Sequence, residues 1–228
     1  MNLTALLIPS VTNQLGAVIG WLDKAEVFAA ERGASPGDLL PLRLAPDMFP
    51  LTSQLRLIAF QAQEPLYRLR GQPVPDAVLQ VRQEARDGGD QPGTWAAARA
   101  RLAEASAALA AVKPDEFDAA ADAPLAHDLS MGMVFDMTGE TYVRDWALPQ
   151  LAFHHVTAYA ILRQAGVPLG TCSPTSGPGR CRTPEPARHQ QNRLASLSVS
   201  ARKWYRPRRR IERALSFAWL SLQGGQYA

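Results

Sequence analysis

Four stretches of the chain repeat apolar residues at alternating intervals of about four and three, the spacing that draws one stripe along an α-helix and leaves its other faces polar. The first comprises Val11, Leu15, Val18, Leu22, Ala25 and Ala29, with Asp23, Lys24, Glu26, Glu31 and Arg32 off the stripe. Gly33 follows as a left-handed stop, and Pro9 fits the first turn, or a kink if the helix begins earlier. The second stripe is Leu51, Leu55, Ile58, Ala62, Leu66 and Leu69, with Pro50 ahead of it and Gly71 behind. Pro65 lies inside this stretch and is expected to kink the helix or end it early, because it removes a backbone donor. The third, Trp95, Ala98, Leu102, Ala105, Leu109 and Val112, stands behind Thr94, a good N-cap residue. The fourth opens at Pro149, carries Leu151, His154, Ala158, Ile161 and Ala165, and closes at Gly166. A helix that is apolar on one face must bury that face against another element, so the expected fold class is an all-α, four-helix bundle.

The connections are long. Gly33–Phe49, punctuated by Pro36, Pro41 and Pro46, reads as an ordered connection, and Gln72–Gly93, polar and rich in Pro and Gly, as a long loop with at most one short helical turn. His127–Val143 is the one stretch with a β flavour and fits an irregular crossover or a small hairpin. Connections of this length favour a bundle with crossovers over a simple short-loop topology.

Composition divides the chain. Residues 1–170 hold 13 Lys and Arg against 19 Asp and Glu, whereas residues 171–228 hold 11 against 2. That asymmetry predicts an acidic folded body followed by a basic extension. No uninterrupted apolar run approaches the ~20 residues that cross a bilayer, and the N-terminus lacks the basic region of a secretory signal, so a cytoplasmic protein without a membrane span is expected. Both cysteines, Cys172 and Cys181, fall in the extension at a spacing that suits zinc poorly.

Two segments resemble a known family: "LLPLRLAPDMFPLTSQL" (Leu39–Leu55) and "LPQLAFHHVTAYAILRQAGVPLG" (Leu148–Gly170). They are similar to a small bacterial and fungal family, number nineteen-ninety-three of the domains of unknown function, grouped with the DinB/YfiT-like four-helix bundles. "WLDKAEVFAAERG" (Trp21–Gly33) and "TWAAARARLAEA" (Thr94–Ala105) resemble that family's first and third helices. The resemblance covers residues 1–170 and implies a DinB-like bundle with no activity to carry over. Several DinB-like proteins hold a divalent metal with three histidines, one on the second helix and two near the fourth. Here the second helix has no histidine; Gln61 and Gln63 stand where a ligand would be sought, and a neutral amide is a poor transition-metal ligand. His154 and His155 are adjacent and point about 100° apart on a helix. Neither a metal nor another cofactor is therefore expected.

His154 lies in the apolar seam, in the position of the family's histidine. It reads either as a core residue satisfied by its neighbours or as a ligand-contacting or acid–base group in a cleft between the second and fourth helices. Asp47 is a candidate partner there, although a carboxylate just before a helix also serves the macrodipole. Arg43 would pair with Asp47 or line the same pocket. Thr157 and Tyr159 would add hydroxyls, unless these bond backbone instead. His155 and the pair Asp23 and Lys24 read as surface. No glycine-rich phosphate loop, nucleophile elbow or paired-carboxylate motif occurs.

Three functions fit this pattern: a bundle that binds a small ligand, enzymatic or not; a non-enzymatic homodimeric interaction protein; and a nucleic-acid or anionic-surface binder that works through residues 171–228. "TCSPTSGPGRCRTPEPARHQQNR" (Thr171–Arg193) has the composition of disorder, and "ARKWYRPRRRIERALSFAWLSL" (Ala201–Leu222) would form a basic amphipathic helix. The family's text breaks off between Gly170 and Thr171, which is also what a shifted reading frame in a GC-rich gene produces.

Overall fold

The computed structural model describes residues 2–129 and 132–170. The basic extension, with both cysteines and the readings attached to it, lies outside the described residues.

Helix α1 (Leu3–Ala30) begins ahead of Pro9, which stands inside it. Asn2 caps the helix, its side chain accepting from the Ala5 amide at 2.7 Å. The stripe from Val11 to Ala29 is buried as its spacing predicts, and Leu3 and Leu7 extend it. Gly33 adopts φ +64° behind the helix. By length and mean hydropathy α1 is long and apolar enough to cross a bilayer, although polar residues interrupt its apolar run. Here its seam packs on α4 (Trp95–Ala110) and α6 (Leu148–Gln164) as a core helix.

The connection after α1 contains a 3-10 turn at Pro36–Leu39. Helix α2 (Leu51–Leu69) continues through Pro65 to its end, so of the two outcomes expected there, a kink or an early end, the early end does not occur. It packs on α4, on α6 and on a helix that the proline and glycine content had hidden, α3 (Asp76–Arg86). The predicted loop at Gln72–Gly93 is thus largely helical. Val78, Val81 and Ala85 form its short buried stripe, and Pro75 stands just ahead of its first turn.

Seventeen of the nineteen residues of α2 are buried, including Thr52, Ser53, Gln54, Arg56, Gln61, Gln63 and Glu64. A helix with one apolar stripe that is covered nearly all round must find partners for its polar faces. Thr52 donates to the Pro92 carbonyl at 2.7 Å. Arg56 donates to the carbonyls of Glu84, Gln91 and Pro92 at 2.8, 3.2 and 3.1 Å, tying the α3–α4 connection to α2. Gly93, at φ +70°, lies so close to that guanidinium that a Cβ would collide with it.

Thr94 caps α4 as expected, accepting from the Ala97 amide at 3.1 Å. A 3-10 turn at Asp118–Ala120 leads into an antiparallel hairpin, β1 (Pro124–Asp128) and β2 (Val134–Thr138), with His127 opposite Phe135. The hairpin alternative for this stretch is therefore the one realised. The fourth helix starts earlier than Pro149: α5 (Gly139–Tyr142), a π turn (Val143–Ala147) and α6 run on with helical backbone at both junctions.

Gly139 is held against the preceding segment, its amide donating to Ala123 O at 3.1 Å. A Cβ there would strike the Ala120 carbonyl and press on Leu69. Gly139→Ala is expected to lower stability by about 1–3 kcal/mol, seen as an earlier chemical-unfolding midpoint. An unchanged midpoint would show that the 3-10 turn moves aside freely.

Candidate functional site

His154 lies on the α2-facing side of α6 and is 8% exposed. Its Nδ1 meets Gln54 Oε1 at 2.8 Å, and Gln54 Nε2 donates to the Phe49 carbonyl at 3.3 Å. Because the Gln54 amide group is engaged with a carbonyl, its oxygen faces the ring. His154 Nδ1 therefore carries the proton and donates, and the Nε2 lone pair is left as acceptor. Burial pushes the His154 pKa down to about 4. At neutral pH the ring is an uncharged hydrogen-bonding group and a weak base.

Among the described hydrogen bonds, none joins the other four candidates to it. Asp47 is exposed on the connection before α2, and Arg43 donates to the Pro46 carbonyl at 3.3 Å. The Thr157 hydroxyl donates to Phe153 O at 2.8 Å. Tyr159 faces α1, its ring 5.3 Å from that of Trp21. His155 is half-buried rather than surface, 4.5 Å from the same indole, with Nε2 enclosed and unpartnered and its pKa lowered by burial. Asp23 is exposed as expected but pairs with Arg99 at 2.8 Å.

The three-histidine arrangement does not fit this chain. The α2 residue facing His154 is Gln54, rather than Gln61 or Gln63, and its amide oxygen already accepts from the ring. Among the described residues no group of three or more His, Cys, Asp or Glu is placed to hold a metal ion.

A second concentration of polar groups lies ten residues further along α2, about 15 Å by helical rise. Gln61, Glu64 and Arg68 share one face, at intervals of three and four. Glu64 is 2% exposed and takes one bond from Arg68, Nη2 to Oε1 at 3.3 Å. Opposite this face stand His127, the buried position of β1 at 3% exposure, and Tyr142, the last residue of α5, at 0%. The His127 ring lies 5.3 Å from Tyr142 and 4.8 Å from Trp146 of the π turn.

Five enclosed polar atoms here have no hydrogen-bond partner: Gln61 Oε1, Arg68 Nε, His127 Nδ1, Tyr142 Oη and Trp146 Nε1. Burial raises the Glu64 carboxyl pKa against the opposing pull of Arg68 and Arg82. Burial, then the charge of Glu64, holds the Tyr142 phenol well above its ordinary value. Burial, then the charge of Arg68, lowers His127 to about 4. A π turn inside a long helix often marks a functional position, and this one carries Trp146 directly behind Tyr142. The sequence signal for this site was present but unused: a polar stripe on α2, beside the apolar one, in a helix that ends next to the β-flavoured segment. Two surface grooves lie elsewhere, one between α1 and α4 and one near the start of α1.

Residues 3–173 match the domain of unknown function DUF1993. The crystal structure of a DinB family member from Shewanella denitrificans aligns with a TM-score of 0.62 at 28% identity, covering 77% of this chain and 96% of that one. No functionally curated protein matches the chain.

Proposed function

The chain belongs to the DUF1993 family and has the DinB-like bundle, and from that premise we propose that it binds a small molecule between its second and fourth helices without a three-histidine metal centre. The observation that carries this reading is the set of five enclosed, unpartnered polar atoms between α2 and the α5–π segment. Each such group costs about 1–3 kcal/mol when left unsatisfied. Five together would rival the whole stability of an ordinary domain, roughly 5–15 kcal/mol. A guest that supplies the missing bonds removes that penalty. The Gln54–His154 pair, a full helical span away, braces α2 on α6.

Native mass spectrometry of the purified full chain, with metal analysis, tests the reading. The expected result is a small-molecule adduct that is lost on mild denaturation, without stoichiometric metal. A bare mass, and a melting temperature unmoved by small-molecule screening, would sink it. A ligand shift lost in His154→Ala but kept in Tyr142→Phe would move the ligand to the Gln54 end.

A homodimeric interaction protein is the second reading, favoured by Val156, strongly exposed on the outer side of α6. Light scattering over a range of concentrations is expected to show a dimer in that case, and a strict monomer excludes it.

A further inference from the structure

The outer side of α1 is unusual for a surface helix. Ala5, Pro9, Gly16, Gly20, Asp23 and Val27 lie within about 30° of one direction, away from the buried seam. All but Gly20 are exposed, and Gly20 is half-buried. A helix face turned to water normally carries charge. Here there is none from Leu3 to Leu22; the charges gather behind, at Asp23, Lys24, Glu26, Glu31 and Arg32. Glycine weakens a helix interior relative to alanine, and its usual return is the close approach of another backbone. Yet among the described residues no atom lies within 4 Å of where a Cβ would stand on Gly16 or Gly20. This is unlike Gly139, which the fold itself crowds.

The same side of α1 carries both a knob and a hollow. Val27 stands 59% exposed near the end of the helix. At the other end a groove of about 330 Å³ is lined by Ala5, Ile8, Pro9 and Val112, with exposed Lys113 beside them. Resting on the homodimer reading above, we infer that a second copy of this chain packs its α1 antiparallel along this side of α1, with the twofold axis at the level of Val18. Gly16 of each copy then faces Gly20 of the other, and the two backbones approach closely there. The same register carries Val27 of each copy to Pro9 of the other, so the knob enters the groove twice over, as twofold symmetry requires.

Charge selects the antiparallel arrangement. In this register Asp23 arrives at Asn13 and Lys24 at Thr12, which are polar but uncharged, and Glu31 arrives at Ala5, next to Lys113. A parallel pair would set Asp23, Lys24 and Glu31 each against its own copy, and like charges placed together oppose association. The reversed helices also oppose their macrodipoles. Val156, on the outer side of α6, takes no part.

The test uses the full chain in sedimentation and light scattering over a range of concentrations. Wild type is expected to dimerise. Gly16→Leu fills the space meant for the partner's backbone, and Val27→Glu puts a charge into the groove; each is expected to weaken the dimer at least about tenfold, whereas Val156→Glu leaves it unchanged. Because leucine is the better helix former and meets no neighbour, Gly16→Leu is expected to unfold no earlier than wild type at concentrations where both are monomers. Val27→Glu carries the test alone if Gly16→Leu folds poorly. Register is read by cysteine cross-linking, with Cys172→Ser and Cys181→Ser in the background: Thr12→Cys chains mixed with Lys24→Cys chains should cross-link, and neither with itself. A dimer that survives both α1 variants, or cross-links only between like chains, overturns the interface while the homodimer reading stands; loss in Val156→Glu alone would move it to α6. A wild type that stays monomeric at every concentration ends both, and binding to lipid vesicles by that monomer, lost in Val27→Glu, would give this face to a membrane instead.

Discussion

Acidification from pH 7 to pH 4 is expected to remove about 3 kcal/mol of folding stability through His154 alone. The folded chain holds this ring neutral down to about pH 4, because burial disfavours the charged form, whereas the unfolded chain takes up the proton near 6.5. Between those values the unfolded state binds more protons, so stability is fully present above about pH 7 and falls as the pH drops through the window. His127, also lowered to about 4, and His155, lowered by burial, act in the same direction. Glu64 opposes them, since burial raises its pKa and the folded state takes its proton first. Urea unfolding of wild type and His154→Gln at pH 7, 5.5 and 4 isolates the His154 share. The wild type should lose about 3 kcal/mol more than the variant over that range. Parallel losses would show that the ring is charged inside the folded bundle.

Removing Arg56 is expected to be the most damaging single change among the polar residues of α2, lowering stability on the order of 3–5 kcal/mol. Its guanidinium alone reaches the carbonyls of Glu84, Gln91 and Pro92, and it is buried as it does so. Arg56→Met keeps the stem but takes this donor from the Glu84 and Gln91 carbonyls and leaves Pro92 with Thr52 alone. Arg56→Lys restores the charge, yet one ammonium cannot reproduce the planar fork, so only partial recovery is expected. Denaturant titration reads the loss. Limited proteolysis should locate new cleavage between Asp87 and Gly93, where the connection is no longer held to α2. A midpoint within about 1 kcal/mol of wild type would show that the carbonyls turn to solvent at little cost.

Two of the failures of the sequence reading have one origin. Helix α3 was hidden because its stripe is only Val78, Val81 and Ala85, too short to stand out among the prolines and glycines on either side. It forms because α2 offers a second surface to cover. The polar cluster was missed because Glu64, Arg68, His127 and Tyr142 are unremarkable where each stands in the chain. They become a group only when the hairpin and α5 fold back on α2. By contrast His154 was legible in the apolar seam, and its neighbour was not: no spacing along the chain says that Gln54, one hundred residues earlier, answers its ring.

What the sequence by itself determined is the periodic part: the seams of α1, α2, α4 and α6, the stops at Gly33 and Gly166, the Thr94 cap and the family. These follow from local geometry, because residues three and four apart share a helical face whatever surrounds the helix. The tertiary structure alone decided that the polar side of α2 is buried as thoroughly as its apolar side. Whether a glutamine or glutamate faces water depends on what packs across from it, and that is a property of distant segments meeting. Burial then turns ordinary polar residues into unsatisfied ones, and it is on those atoms that the ligand-binding proposal rests.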